Sequence, residues 1–169
     1  MTEPEVIKEN KHRRVSDQSK FWLIELLSLL GSVVIALLVV LPIYEAQIPF
    51  SFYFFNLLFV VVGLTMMRYI FFLNIHPLRR SRIFKVLMIF SVPFLFFPLL
   101  EGLHSFIQFY DTEGIQSILT HLPYKEQGRY VKYIRIEYLF FGVVAMSGSF
   151  LVIVKMIRSL WRQYKYDQI

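Results

Sequence analysis

Residues 21–43 read FWLIELLSLLGSVVIALLVVLPI, an apolar run in which Glu25 is the only charge. A helix that crosses the hydrocarbon core of a bilayer needs roughly 20 such residues in succession. The run is too long for the apolar region of a cleaved signal. It is followed by Tyr44, Glu45, Ala46 and Gln47, where a small-x-small cleavage pattern would be needed. A retained first membrane span is therefore expected.

Three further stretches qualify on the same grounds, giving spans at about 21–43, 50–75, 83–106 and 138–160. None of them alternates with a period of 2, which excludes a transmembrane barrel and leaves helices as the way to satisfy the backbone in lipid. The composition agrees: 56% of the 169 residues are hydrophobic, 18% aromatic and only 18% charged. That balance lies well to the apolar side of a soluble domain. The absence of cysteine removes a disulfide-stapled fold, thiol redox chemistry and thiolate metal sites.

The net charge of +6 is distributed by side. Lys8, Lys11, Arg13, Arg14 and Lys20 precede the first span. Arg79, Arg80, Arg82 and Lys85 lie between the second and third, and Lys155, Arg158, Arg162 and Lys165 close the chain. The short link at residues 45–49 has no basic residue, and the longer link has Lys125, Arg129, Lys132 and Arg135. Cytoplasmic loops carry the excess of Lys and Arg, so both termini are expected inside, with Trp22 and Trp161 at the inner interface. The basic balance thus reports orientation in a bilayer and gives no support for nucleic-acid binding. The cluster at Arg79–Lys85 reads as a topology determinant, the alternative being a patch that attracts anionic lipid or an acidic partner.

The expected fold is all-α, an integral membrane bundle of four transmembrane helices. Residues 1–20 form a cytoplasmic tail, 21–160 the membrane domain and 161–169 a second tail. The outer segment, 107–137, holds Asp111, Thr112 and Glu113, then Ile115, Ile118, Leu119 and Leu122 on one stripe, and Pro123. That order predicts a short amphipathic helix lying on the membrane or folded over the bundle.

Small residues let helix backbones approach in lipid. Ser28, Ser32 and Ala36 in the first span and Ala145 and Ser149 in the fourth, flanked by Gly142 and Gly148, predict that spans one and four are neighbours. The same stripes would serve a homo-oligomer or a membrane-protein partner. Pro93 and Pro98 each remove a backbone hydrogen bond from the third span and predict kinks there.

Three ionisable residues at membrane depth need explaining, because each costs about 2.5 to 3.5 kcal/mol near a span's centre. Glu25 lies four residues into span one and Arg68 seven before the end of span two, roughly 6 and 10 Å below one surface at 1.5 Å per residue. They form a candidate inner ion pair. Glu101 and His104 share a helix face at i, i+3 near the outer end of span three, and Glu137 opens span four at a similar depth. Glu-x-x-His is the spacing with which a helix offers two ligands to one metal, but bundle di-metal sites need it twice with two more carboxylates, and here it occurs once. Glu101, His104 and Glu137 are therefore a candidate outer polar cluster, and no metal, cofactor or catalytic residue is assigned.

The sequence contains no Gly-rich phosphate loop, no G-x-S-x-G and no H-E-x-x-H. The leading expectation is a non-enzymatic multi-pass protein of a plasma membrane, consistent with a bacterial inner membrane, acting as a small subunit or stabilising partner of a larger membrane complex. The alternatives are a carrier or lipid-handling protein with a polar cavity at Glu101, His104 and Glu137, and a metal-dependent membrane enzyme at the same place.

Overall fold

The structure is a computed structural model that describes residues 3–72 and 82–166, with the side chains of 3–21, 72, 82, 84 and 166 left out. The expected end of span two at 73–75, the basic residues Arg79 and Arg80 and the side chains of the N-terminal Lys and Arg lie outside the described residues. Four long α-helices account for nearly all of it: α1 (Glu3–Glu45), α2 (Tyr53–Phe72), α3 (Arg82–Thr112) and α4 (Tyr124–Tyr166). All four are long and apolar enough to cross a membrane. At 1.5 Å per residue the 43 residues of α1 or α4 extend roughly 64 Å, about twice a bilayer core.

The helix ends follow from local chemistry. Beyond α1, Gln47 takes a φ of 50°, and the Ile48 amide donates to the Ile43 carbonyl, the left-handed closure that ends a helix by satisfying its last carbonyls. α3 stops where Gly114 adopts a φ of 74°, a conformation that glycine reaches without a Cβ penalty. Pro123 then starts α4, its carbonyl accepting from the Glu126 amide, as suits a residue without an N–H of its own. The outer segment is consequently shorter than expected. α3 runs on to Thr112, and Phe109 and Tyr110 keep its last turns packed on the core.

Within that segment the chain makes a five-residue 3₁₀ helix, Ile115–Leu119, in place of an amphipathic α-helix. Ile115 and Leu119 are buried, and Ile118 and Leu122 pack against the same core. The apolar stripe is folded over the end of the bundle. His121 Nε2 donates to the Ala46 carbonyl at 3.0 Å, tying this segment to the turn after α1.

α2 and α4 form the central pair, with α1 against α2 and α3 against α4. The close approach expected between the small-residue stripes of spans one and four is thus made by each of them to α2, while α4 still reaches α1 through the bond from the Tyr133 hydroxyl to the Val39 carbonyl. The small residues of α1 face α2, where Ser32 and Ala36 are buried with Val40 and Ile43. Those of α4 face α2 as well: a Cβ on Gly63 of α2 would meet Val144 at 3.3 Å, and one on Gly148 would meet Met66 at 3.1 Å. Both stripes do bring backbones together, but each contacts the same middle helix. The Ser32 and Ser149 hydroxyls bond back to Ser28 and Ala145 of their own helices, so they add closeness and no interhelix bond.

The interior of α3 repeats every seven residues, at Lys85, Val92, Leu99 and Phe106. In α4, Tyr138, Ala145, Val152 and Ser159 do the same, with Ser149 and Met156 between them. This is the 3.5-residue seam of left-handed helix packing. Pro93 is exposed and Pro98 half-buried, and α3 continues unbroken through both as one helix.

Candidate functional site

Polar side chains occur at three levels of the bundle. At the end where α2 finishes and α4 runs out, Arg68 donates to Glu25 Oε2, joining α2 to α1. Tyr69 donates to the same oxygen at 3.3 Å, and the Arg68 guanidinium lies 4.9 Å from the Tyr69 ring centroid. The pair keeps side-chain exposures of only 19% and 16%. The inner pair expected from depth is therefore brought together, with Tyr69 as a third member that the sequence did not single out.

Two cations counted with the basic flanks have other roles. Lys85 is 0% exposed and donates to Gln163 Oε1 at 2.7 Å, joining α3 to α4. Lys155 donates to the Ile70 carbonyl near the C-terminal end of α2, where a positive charge complements the helix dipole. Lys85 is thus removed from the surface cluster in which the sequence placed it.

The opposite end of the bundle is built from aromatic rings. Phe106 stacks on Tyr138 with centroids 4.0 Å apart, Phe59 meets Tyr138 edge-on at 5.0 Å, and Phe50 and Phe52 close the cluster. The Tyr138 hydroxyl donates to the Gly102 carbonyl at 3.0 Å. Glycine at 102 also permits the close approach of α3 to α2, since a Cβ there would lie 2.4 Å from Phe55 Cδ1.

Next to this cluster, Glu137 is 7% exposed and Asn56 of α2 is 0% exposed. Asn56 Nδ2 donates to Glu137 Oε2 at 3.0 Å. Among the described residues, Glu137 Oε1 and Asn56 Oδ1 are buried and have no hydrogen-bond partner. The nearby hydroxyls are committed elsewhere: Tyr133 donates to the Val39 carbonyl of α1 at 2.6 Å, in the turn that Pro42 loosens.

Glu101 and His104 do not join Glu137. They are exposed on the outward face of α3, among Phe94, Phe97, Leu100 and Ile107, which are exposed too. The expected outer cluster is divided between the inside of the bundle and its periphery, because Glu101 and His104 fall outside the 85-92-99-106 seam that turns inward. Among the described residues no three His, Asp or Glu side chains converge as metal ligands would.

Asn56 is the residue that the sequence reading missed. Its signal was present, an amide inside the apolar run YFFNLLFVVV, where an unpaired polar group is costly. The partner lies 81 positions away, so nothing local pointed to it. Fold and polar sites together define an all-helical bundle of the membrane-spanning class. Comparison with protein-family models, characterised proteins and solved structures returns no match.

Proposed function

We propose that this chain is a non-enzymatic, multi-pass plasma-membrane protein that acts by association, as a small subunit or stabilising partner of a larger membrane complex. The observation that carries the reading is the outward face of α3, where Glu101 and His104 are exposed and make no hydrogen bond or ion pair among the described residues. Lys85 and Glu101 are sixteen residues apart on α3, roughly 24 Å at 1.5 Å per residue. With Lys85 near one boundary, Glu101 faces outward about a turn short of the other. A carboxylate turned toward lipid there is costly, and a partner helix offering an arginine, lysine or tyrosine removes the cost. Apolar neighbours on both sides supply the packing surface for such a helix. The distribution of Lys and Arg supports termini on the cytoplasmic side of the membrane.

Mild solubilisation from native membranes tests this. The tagged chain is expected to bring down a defined membrane protein, and the Glu101→Leu/His104→Leu double variant is expected to lose it while expressing normally. A monodisperse monomer with no co-purifying protein, or co-purification indifferent to the double variant, defeats the reading. Recovery of a second copy of this chain in the same dependent manner would identify a homo-oligomer.

A lipid-handling role is supported by a different observation, a groove of about 260 Å³ between α1 and α2 whose walls include Trp22, Leu29 and Thr65 and whose polar floor is Glu25 and Arg68. Native mass spectrometry of the purified chain tests it. Retained phospholipid that is lost in Arg68→Leu supports this role, and an apo spectrum under gentle conditions counts against it.

A further inference from the structure

We propose that Glu137 is a proton-binding site, in which the bound proton on Oε1 is donated to Asn56 Oδ1 and closes an acid–amide ring between α4 and α2. This goes beyond the association reading and does not depend on it.

Donors and acceptors are mismatched where Glu137 meets Asn56. A carboxylate offers only acceptors, and an amide offers one carbonyl oxygen and an NH₂ group. The Nδ2 bond to Oε2 at 3.0 Å uses one side of the pair and leaves Oε1 and Oδ1, both acceptors, buried without a donor. Two oxygen acceptors facing an apolar interior are unfavourable together, and one hydrogen between them satisfies both. A carboxylic acid and a carboxamide have complementary edges, so the same proton that removes the charge supplies the missing bond.

The surroundings leave no other source. Among the described residues Glu137 has no polar partner besides Asn56. On its own helix the neighbouring ionisable groups are Tyr133 and Tyr138, whose hydroxyls donate to Val39 of α1 and Gly102 of α3. Tyr53 of α2 donates to the Ile48 carbonyl. The cations nearby on α4, Lys132 and Arg135, are exposed, and Arg135 lies over the Tyr110 ring of α3 at 5.0 Å. Among the described residues no counter-charge from α1, α2 or α3 offsets an ionised Glu137. An unpaired buried carboxylate gives up its charge more readily than it remains ionised in an apolar site. The ligand is a hydron taken from the aqueous phase: one O–H bond forms on Oε1, and no electron transfer accompanies it.

Infrared spectroscopy of the full chain in phosphatidylcholine vesicles tests the assignment. At pH 7 the wild type is expected to show a protonated-carboxyl C=O band that shifts down in D₂O. Glu137→Gln should abolish the band, and Asn56→Leu should move it to higher frequency by removing its hydrogen-bond partners. Thermal unfolding provides a second reading. Because the folded state holds a proton that the unfolded chain releases at the ordinary carboxylate pKa of about 4.3, stability should decline as pH rises through and beyond that value, whereas Glu137→Gln, whose amide donates permanently, should lack that component of the decline. Absence of the band in the wild type, or its persistence in Glu137→Gln, overturns the proposal. If Glu137→Gln does not fold, a wild-type band that Asn56→Leu leaves unmoved overturns it equally.

Discussion

Replacing Arg68 by leucine removes the cation that joins α2 to α1 and leaves Glu25 with its carboxylate at 16% exposure. Breaking a fully buried ion pair costs about 3 to 5 kcal/mol because one charge remains uncompensated, and an exposed pair contributes about 0 to 1 kcal/mol. This pair lies between those limits and nearer the buried one, while the Tyr69 hydroxyl at 3.3 Å still supports Glu25. Loss of about 2 kcal/mol is expected for Arg68→Leu, discounted from the buried limit for that remaining contact and the residual exposure. Glu25→Leu should cost a similar amount. The double variant, which removes both charges together, should cost much less than the two combined, a coupling of about 1 to 2 kcal/mol. Neutral hydrogen bonds between membrane helices average about 0.6 kcal/mol and reach about 1.7 kcal/mol, so a coupling at the top of the expected interval identifies a true ion pair. The assay is reversible unfolding in mixed micelles, followed by circular dichroism, for the wild type and the three variants. A coupling below about 0.5 kcal/mol would refute the argument and reassign Glu25 and Arg68 as independent side chains reaching for the headgroups.

Further outcomes can be checked in the same assay. Gly102→Ala should destabilise by about 1 to 3 kcal/mol through overpacking against Phe55, whereas Gly31→Ala, with nothing within 4 Å of the added Cβ, should be neutral or stabilise by up to about 1 kcal/mol. Equal effects at the two glycines would show that the close approach of α2 and α3 is absent. Tyr138→Phe keeps the ring stack and loses only the bond to Gly102, so about 1 kcal/mol is expected, against about 3 to 5 kcal/mol for Tyr138→Ala; a phenylalanine variant as unstable as the alanine one would contradict this division. Because the chain has no cysteine, a single Gln116→Cys reports orientation directly. Labelling of intact cells by an impermeant thiol reagent is expected, and labelling only after membrane disruption would reverse the topology.

The fold was legible where the physical constraint was one-dimensional. Length and unbroken apolarity are properties of a segment, so the four helices around 21–43, 50–75, 83–106 and 138–160 could be read before any contact was known. Their ends were less legible. Phe50 and Phe52 looked like the start of span two, yet they sit in the turn before Tyr53 and pack into the aromatic cluster. Residues 107–112 read as part of the outer segment because Asp111 and Thr112 are polar, yet Phe109 and Tyr110 hold that stretch in α3. The Glu25–Arg68 pairing was legible because shared depth limits the possible partners of a charge in lipid. The outer cluster was not, since depth fixes height along the bundle and says nothing about which way each helix face turns.

By itself, then, the sequence determined that the chain is helical and apolar enough to cross a membrane four times, because the bilayer's thickness and its lack of hydrogen-bonding partners act on each segment separately. Only the tertiary structure decided which helices touch and what their polar residues face. It placed α2 between α1 and α4, buried Lys85 against Gln163, turned Glu101 and His104 outward and set Glu137 against Asn56. Small-residue stripes say that helices approach closely, and they do not say which ones. That choice is made by the packing of all four helices at once, through contacts between residues far apart in the chain.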